Sequence, residues 1–192
     1  MDEKFVLNSN QKKELPLLRI VVVGVTGSGK TTFAKELATK KGTSFIELDA
    51  LHWLPDWQHI PDEEFRQRVE VATRGDSWVV DGNYSVARDI IWTRANAIIW
   101  LDYSLWTVFW RLYKRTWSRY WNRELLWGTN YETLYKQLKI WSAEDSLFHW
   151  LFKTYWRRKR QYPELFNEPE YSHLSVHQFT DPEKAEIWLQ EQ

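Results

Sequence analysis

The chain has 192 residues, which is enough for one domain with a sizeable core. Its 26 Lys and Arg balance its 26 Asp and Glu, so a formal net charge of zero argues against a protein that grips nucleic acid through bulk basicity. The absence of cysteine excludes disulfides and thiolate metal sites. No long apolar run follows the acidic start, and we therefore expect no signal peptide, no membrane partner and a cytoplasmic location.

Hydrophobic patterning predicts an α/β fold. Residues 1–16 are polar and without a sustained period, so we expect a flexible leader before one domain at residues 17–192. A β-branched run predicts a buried parallel strand from Leu17 to Val23, and Thr32 to Lys41 reads as a helix. Further strands are predicted at Ser44 to Leu48, Ser77 to Val80, Ala97 to Leu101 and Leu174 to Phe179. About five parallel strands flanked by helices are therefore expected.

The first strand and helix enclose Gly24-Val25-Thr26-Gly27-Ser28-Gly29-Lys30-Thr31, which fits the phosphate-binding loop pattern G-x-x-x-x-G-K-[ST] at every fixed position. A glycine-rich turn that binds nothing is the alternative, but the fixed residues and both flanks disfavour it. We expect Lys30 to reach the β- and γ-phosphates of ATP and Thr31 to bind Mg²⁺. The predicted ATP-binding residues are Gly24, Gly27, Ser28, Gly29, Lys30, Thr31 and Thr32.

Carboxylates directly follow three of the predicted strands, at Asp49, Asp81 and Asp102, and ligands bind at this rim of a parallel sheet. Asp49 comes after the second strand and is a candidate for binding a metal or the molecule that accepts a phosphoryl group from ATP. The alternative is that Asp49 is a helix N-cap. Asp81 ends the third apolar run and is a candidate Mg²⁺ ligand through water, or a catalytic base. The residues from Asp81 to Tyr84 also suit a plain turn, but the position of the Asp favours a function.

From Ser104 onward the pattern is helical, and residues 104–162 are predicted to form a helical lid or insert. Arginines recur every four residues and so lie along one slowly drifting edge of a helix. Such a row needs polyphosphate, a nucleic acid backbone, or acidic neighbours and water. Proximity to the rim favours a function for Arg111 and Arg115 over the later two. The row is Arg111, Arg115, Arg119 and Arg123.

Two more helix starts are predicted in this region. A capping box places one at Thr129, with Glu132 as its partner, and Ser142 opens the next. The latter is expected to run to about Tyr162, where Pro163 stops it, with basic residues in its last turns suiting the helix dipole.

Aromatic residues make up 17% of the chain, which includes 14 Trp, and most of them lie between Trp92 and Trp156. We expect the majority to be core. The alternatives are a cleft where rings stack on a base or a sugar, and a patch that docks a partner.

Four segments, GVTGSGKTT, LDALHWLPDW, WVVDGNY and RANAIIWLDYS, are followed by spaced arginines. Together they resemble small bacterial P-loop kinases often labelled DNA topology modulation proteins, which are similar to adenylate and shikimate kinases. The resemblance implies a nucleoside monophosphate kinase-like fold, with Asp81 acting on Mg²⁺ through water, and Arg111 and Arg115 clamping ATP phosphates. Where adenylate kinases continue with Phe-Pro-Arg, this chain has Asn83-Tyr84, and its next arginine is Arg88.

These patterns favour phosphoryl transfer from ATP, with Mg²⁺, to a small acceptor, for which a nucleotide or nucleoside is a candidate. The alternative is an ATP-binding switch associated with DNA topology; its support is the basic and aromatic content of residues 106–160, and the zero net charge disfavours a nucleic acid partner. A GTPase is weaker still, since no Asn-Lys-x-Asp segment is present. The predicted catalytic residues are Lys30, Asp49, Asp81, Arg111 and Arg115. Acceptor and oligomeric state remain open.

Overall fold

A computed structural model describes residues 18–122, 125–127, 130–131 and 147–192. Five parallel strands form one sheet in the spatial order β2-β3-β1-β4-β7. The strands are β1 (Arg19–Gly24), β2 (Ser44–Glu47), β3 (Trp78–Asp81), β4 (Ala97–Leu101) and β7 (Ser175–Phe179). Two short strands, β5 (Leu125–Leu126) and β6 (Asn130–Tyr131), form a separate antiparallel pair. The predicted parallel sheet of about five strands is confirmed.

Helices connect the strands and cover both faces of the sheet. They are α1 (Lys30–Lys41), α2 (Leu48–His52), α3 (Asp62–Ala72), α4 (Arg88–Trp92), α5 (Leu105–Asn122), α6 (Leu147–Phe166) and α7 (Pro182–Gln190). Short 3₁₀ turns lie at Pro55–Trp57, Ser85–Ala87 and Pro169–Tyr171. Leu48, predicted as the end of a strand, instead begins α2 and is buried.

Each face of the sheet has its own apolar layer, which explains why β1 is apolar along its whole length. Val21 and Val23 point into one layer, and Ile20 and Val22 point into the other. The first layer is completed from α3, α4 and the end of α6 by Phe65, Val69, Ile91, Trp92, Tyr162 and Leu165. The second is completed from α1, α5, the start of α6 and α7 by Phe33, Leu37, Val108, Leu112, Leu151 and Leu189. Helix α6 therefore contributes to both layers.

Helix α6 does not end before Pro163 as predicted; it continues to Phe166 with Pro163 inside it. A proline this close to the end removes one backbone hydrogen bond of the final turn. Burial of Leu165, and stacking of Phe166 on Trp92 and Tyr162, hold that turn against the sheet. The basic residues before Tyr162 therefore do not lie in the last turn, and the prediction that they suit the helix dipole is wrong.

The other predicted helix starts in this region have different outcomes. Thr129, Glu132 and Ser142 lie outside the described residues. Asn130–Tyr131 pairs as a strand with Leu125–Leu126, so no helix begins at that point of the chain. None of the helices in the described part of the chain is long and apolar enough to cross a membrane.

The expectation that most aromatic residues from Trp92 to Trp156 are core is wrong for the described residues. Trp92, Trp100, Tyr103 and Tyr155 are buried. A larger set on α5 and α6 is exposed: Trp106, Trp110, Tyr113, Trp117, Tyr120, Trp121, Trp150, Phe152 and Trp156. Helix α5 needs only one stripe against the sheet, which Val108, Leu112 and Thr116 supply, so its rings project elsewhere.

Candidate active site

The glycine-rich loop joins the carboxyl end of β1 to the N-terminus of α1. Gly27 and Gly29 have positive φ angles of 80° and 86°, a backbone conformation that side chains with a Cβ disfavour. Gly29 is the N-cap of α1, and the first turn of that helix contains no acidic residue. The helix therefore presents its free N–H groups and partial positive charge without a carboxylate of its own to neutralise them.

The residues predicted to bind ATP are placed together around this loop. Gly24, Gly27 and Ser28 are buried, whereas Lys30 and Thr31 are half-buried at the start of α1. Thr32 is exposed. The arrangement is that of an anion site, in which backbone N–H groups surround a phosphate and an ammonium group lies beside it.

Asp81 lies under the loop, at the end of β3, which is hydrogen-bonded to β1. The Thr31 hydroxyl donates to its Oδ2 at 2.5 Å, while its Oδ1 is buried without a hydrogen-bond partner. Burial raises the pKa of Asp81 to about 6, although the nearby Lys30 ammonium and the Thr31 hydrogen bond oppose the shift. A buried carboxylate oxygen without a donor is an acceptor available to a water molecule or a cation.

This donor set suits Mg²⁺ better than a metal that needs several protein ligands. The described residues include no group of three or more His, Cys, Asp or Glu side chains that could hold a metal ion. Mg²⁺ typically keeps several waters and binds proteins through one or two carboxylates together with substrate phosphates. Thr31 Oγ1 and Asp81 Oδ1 are the atoms that could take part, the second directly or through water.

Asp49 lies at the carboxyl end of β2, as the second residue of α2. The Tyr84 hydroxyl donates to Asp49 Oδ1 at 2.6 Å. Burial and the Asp49 carboxylate raise the pKa of Tyr84, so the phenol stays protonated as the donor. The alternative reading of Asp49 as an N-cap is wrong, because the N-cap of α2 is Glu47.

Asn83 contacts the phosphate-binding loop. It stands where adenylate kinases continue with Phe-Pro-Arg. Its side-chain Oδ1 accepts from the Gly24 N–H at 3.2 Å, and its Nδ2 donates to the Gly24 carbonyl. The Tyr162 hydroxyl donates to the same Oδ1 at 2.9 Å, and Arg158 donates to the Asn83 carbonyl at 3.0 Å. The amide thus ties the first glycine of the loop to α6.

A small cavity of about 10 Å³, enough for about one water molecule, lies beside Asn83, between the end of β3 and helices α4 and α6. Gly82, Tyr84, Arg88 and Arg158 are among its lining residues. Arg88 lies over the ring of Trp92, with its guanidinium carbon 5.2 Å from the ring centre. Sequence reasoning did not identify Arg158, whose only signal was its place in a basic run that was assigned to the helix dipole.

Helix α5 packs directly on the loop. Arg111 Nη1 donates to the Ser28 carbonyl at 3.1 Å, and its guanidinium carbon lies 5.1 Å from the centre of the Tyr103 ring. A Cβ on Gly27 would lie only 2.4 Å from the Val108 carbonyl oxygen, so a residue with a side chain cannot fit there unless α5 moves.

The remaining members of the arginine row follow Arg111 in the sequence. Arg115 and Arg119 lie half-buried further along α5, and Arg123 is outside the described residues. Asp102, the carboxylate after β4, is buried and paired with Lys159 on α6 at 3.4 Å. Gln178 donates to its Oδ2 at 2.9 Å, so this carboxylate already has partners of its own.

Comparison with known proteins agrees with the fold. The model of the ATPase family associated with various cellular activities (AAA) matches residues 20–102, which is less than half of the chain. No curated protein gave a match.

Solved structures of similar fold include several kinases. A sugar kinase from a Janibacter species is 21% identical, with a TM-score of 0.51 and coverage of 92% of each chain. A gluconokinase from Sinorhizobium meliloti is 19% identical, with a TM-score of 0.50, covering 91% of this chain and 92% of that one. A shikimate kinase from Acinetobacter baumannii, in complex with shikimate, is 18% identical, with a TM-score of 0.51 and coverage of 91% and 90%. The chain therefore has an α/β P-loop NTPase fold.

Proposed function

We propose that this protein is an ATP-dependent, Mg²⁺-requiring kinase that transfers the γ-phosphoryl group to a hydroxyl of a small acceptor. The observation that carries the proposal is the contact between Thr31 and the buried Asp81 at the N-terminus of α1. A hydroxyl and a partly unsatisfied carboxylate beside a glycine loop are the donors that a Mg²⁺-nucleotide requires. Bound Mg²⁺ would neutralise charge on the β- and γ-phosphates.

The protein groups around this point have distinct roles. The N–H groups of the loop and Lys30 bind the phosphates, and Arg111 and Arg115 on α5 stabilise charge on the phosphoryl group during transfer. Arg111 is already held against the loop through the Ser28 carbonyl. We assign Asp81 to binding the metal and not the acceptor, because the Thr31 hydroxyl donates to one of its oxygens and the other oxygen is buried below the loop.

Asp49 is the group that we assign to the acceptor. It is half-buried at the rim and is oriented by the Tyr84 hydroxyl. Its carboxylate accepts the proton of the acceptor hydroxyl as that oxygen bonds to the γ-phosphorus and the bond to the bridging oxygen of ADP breaks. A single-step transfer of this kind needs no covalent enzyme intermediate.

Arg88 and Arg158 favour an acceptor that also carries a carboxylate or a phosphate. Both line the small cavity beside Asn83 and Tyr84, and the Tyr84 hydroxyl donates to Asp49. Guanidinium groups bind either anion through paired hydrogen bonds. Hydroxy acids such as shikimate, and nucleoside monophosphates, share this chemistry; uncharged nucleosides and sugars lack it.

The test measures ADP release from Mg-ATP with a panel of hydroxy acids, nucleoside monophosphates, nucleosides and sugars. We expect one class of anionic acceptor to stimulate turnover strongly in the wild type. Lys30→Ala should abolish that turnover, whereas Lys35→Ala, at an exposed position on the same helix, should leave it unchanged. Full activity of Lys30→Ala would contradict the proposal.

Two further results separate the acceptor class from the reaction. Arg158→Gln should raise the KM for the acceptor more than the KM for ATP, while Arg160→Gln, an exposed residue on the same helix, should change neither. Stimulation by an uncharged acceptor would leave the kinase assignment intact and overturn the anionic class. Slow ATP hydrolysis that ignores every acceptor would instead favour a nucleotide-dependent switch, and the association with DNA topology remains a prediction.

A further inference from the structure

Helix α5 carries an exposed aromatic face that none of the site chemistry above uses. We define this face by Trp106, Trp110, Tyr113, Trp117, Tyr120 and Trp121, all of which are exposed. The exposed fraction reaches 71% at Trp106 and 75% at Trp121, whereas a soluble protein normally covers rings of this size. At 100° per residue the six side chains project within an arc of about 100°.

The aromatic face continues onto α6. Phe109 contacts Trp106 and Trp110 on its own helix, with ring centres 6.2 and 5.9 Å away. On the other side it contacts Phe148 and Phe152 of α6 at 5.5 and 6.1 Å. Phe152 is exposed, as is Trp156 one turn further along the same side of that helix. The apolar surface therefore spans two helices.

Positive charge is concentrated on the same two helices. Helix α5 contains four Lys or Arg and no acidic residue, and α6 contains five Lys or Arg and one Glu. Because the whole chain has zero formal charge, the rest of the molecule is acidic overall. Lys114, Lys153 and Arg157 are exposed, and Lys114 projects next to the aromatic arc of α5.

From this surface we propose that helices α5 and α6 dock the protein on a bilayer that contains anionic lipids. A row of Trp and Tyr side by side with Lys and Arg is the pattern of helices that lie in the interface plane of a membrane. Indole and phenol rings place an apolar body among the acyl chains and a polar atom at the headgroups. Surface docking needs no spanning helix, which agrees with the described helices.

Charge favours an anionic membrane over a second copy of the chain as the partner of this surface. A two-fold dimer would bring the same surface of both copies together and so place the exposed Lys114, Lys153 and Arg157 of both copies near one another. An anionic surface instead neutralises them, at about 1 kcal/mol for each Lys or Arg near the headgroups.

The shape of the surface favours a bilayer over single-stranded nucleic acid as the partner. Proteins that stack bases on aromatic rings also track the backbone with a charged groove. Here the rings lie on the exposed side of α5, where Trp117 and Trp121 border a wide, open depression, and two of them, Tyr113 and Trp117, already stack on each other at 6.4 Å. A flat, wide partner fits this surface better than a strand.

The test is co-sedimentation of the full chain with vesicles of phosphatidylcholine alone or mixed with phosphatidylglycerol. We expect binding to the mixed vesicles that weakens with salt and little binding to the neutral ones. The triple variant Trp110→Gln, Trp117→Gln, Trp121→Gln should lower the partition coefficient by at least about tenfold. Changing Lys114 and Lys153 to Gln should lower it by about thirtyfold.

A matched control uses exposed apolar residues on other helices, Val71→Gln with Ile187→Gln, which should bind vesicles like the wild type. Circular dichroism and urea unfolding establish that each variant is folded; if the triple variant is not, single changes at Trp106 and Trp121 replace it.

The proposal is overturned if the wild type fails to sediment with mixed vesicles at low salt, or if the tryptophan variants bind as well as the control. It is also overturned if light scattering finds a dimer that these variants dissociate, or if single-stranded DNA binds and vesicles do not.

Discussion

The buried carboxylate of Asp81 makes a quantitative prediction about stability. Asp81 is 2% exposed, and burial raises its pKa from 3.8 in a model compound to about 6 despite the Lys30 ammonium and the Thr31 hydrogen bond. Asp81→Asn keeps the shape of the side chain and leaves an oxygen that can accept from the Thr31 hydroxyl. The substitution removes the charge and puts an amide NH₂ group where Oδ1 lies.

The sign of the effect follows from proton binding. Because the folded protein holds the Asp81 proton more tightly than the unfolded chain, the wild type loses stability as the pH rises from about 4 to about 6. A shift of about two pKa units corresponds to about 3 kcal/mol at 1.36 kcal/mol per unit. Asparagine has no proton to lose, so the variant should be more stable than the wild type by up to about 3 kcal/mol at pH 8 and about equally stable at pH 4.

The assay is urea unfolding of both proteins between pH 4 and pH 8, in EDTA and without nucleotide. Asp89→Asn is a control of opposite sign, since two hydrogen bonds from Arg66 lower the pKa of Asp89. Loss of that exposed pair should lower the free energy of unfolding of the variant by no more than about 1 kcal/mol at neutral pH, and the difference from the wild type should vanish in acid. A variant Asp81→Asn that is less stable than the wild type at pH 8, or a difference that does not change with pH, would refute the reasoning.

Three other substitutions test contacts around the loop. Asn83→Ala removes both hydrogen bonds to Gly24 and should lower the free energy of unfolding by about 2 kcal/mol, measured in urea; an unchanged value would mean that the tie is dispensable. Gly27→Ala meets the backbone of α5 and should abolish ATP binding in calorimetry, so wild-type affinity would contradict the packing. Tyr84→Phe leaves Asp49 without its donor and should lower kcat about tenfold with little change in the KM for ATP; steady-state kinetics with the identified acceptor decides this.

Strand positions could be predicted from sequence because burial on both faces leaves a continuous apolar run. β4 has the predicted bounds, and the other predicted strands differ from the observed ones by one or two residues at one or both ends. The glycine loop could be predicted for a related reason: Gly27 and Gly29 need positive φ angles, which restricts the residue type at those positions. A local backbone constraint restricts the residue type at its own position and can therefore be recognised from the sequence.

Contacts between distant segments could not be predicted in this way. Asn83 is 59 residues from Gly24, and nothing in Asp-Gly-Asn-Tyr distinguishes an amide that binds the loop from a turn residue. Pro163 was expected to end a helix, but tertiary packing of Leu165 and Phe166 outweighs the lost backbone hydrogen bond. The aromatic residues of α5 have a clear helical period, and a period alone does not say which side of the helix the sheet covers.

The tie through Asn83 connects two places that different molecules are proposed to bind. Gly24 begins the nucleotide loop, and Tyr162 and Arg158, which hold Asn83, belong to α6. If a surface that binds α6 shifts this helix relative to Asn83, the affinity for nucleotide must change by some factor. Thermodynamic reciprocity then requires nucleotide to change the affinity for that surface by the same factor. The Asn83 side chain would in that case couple nucleotide binding at the loop to binding of the surface by α6.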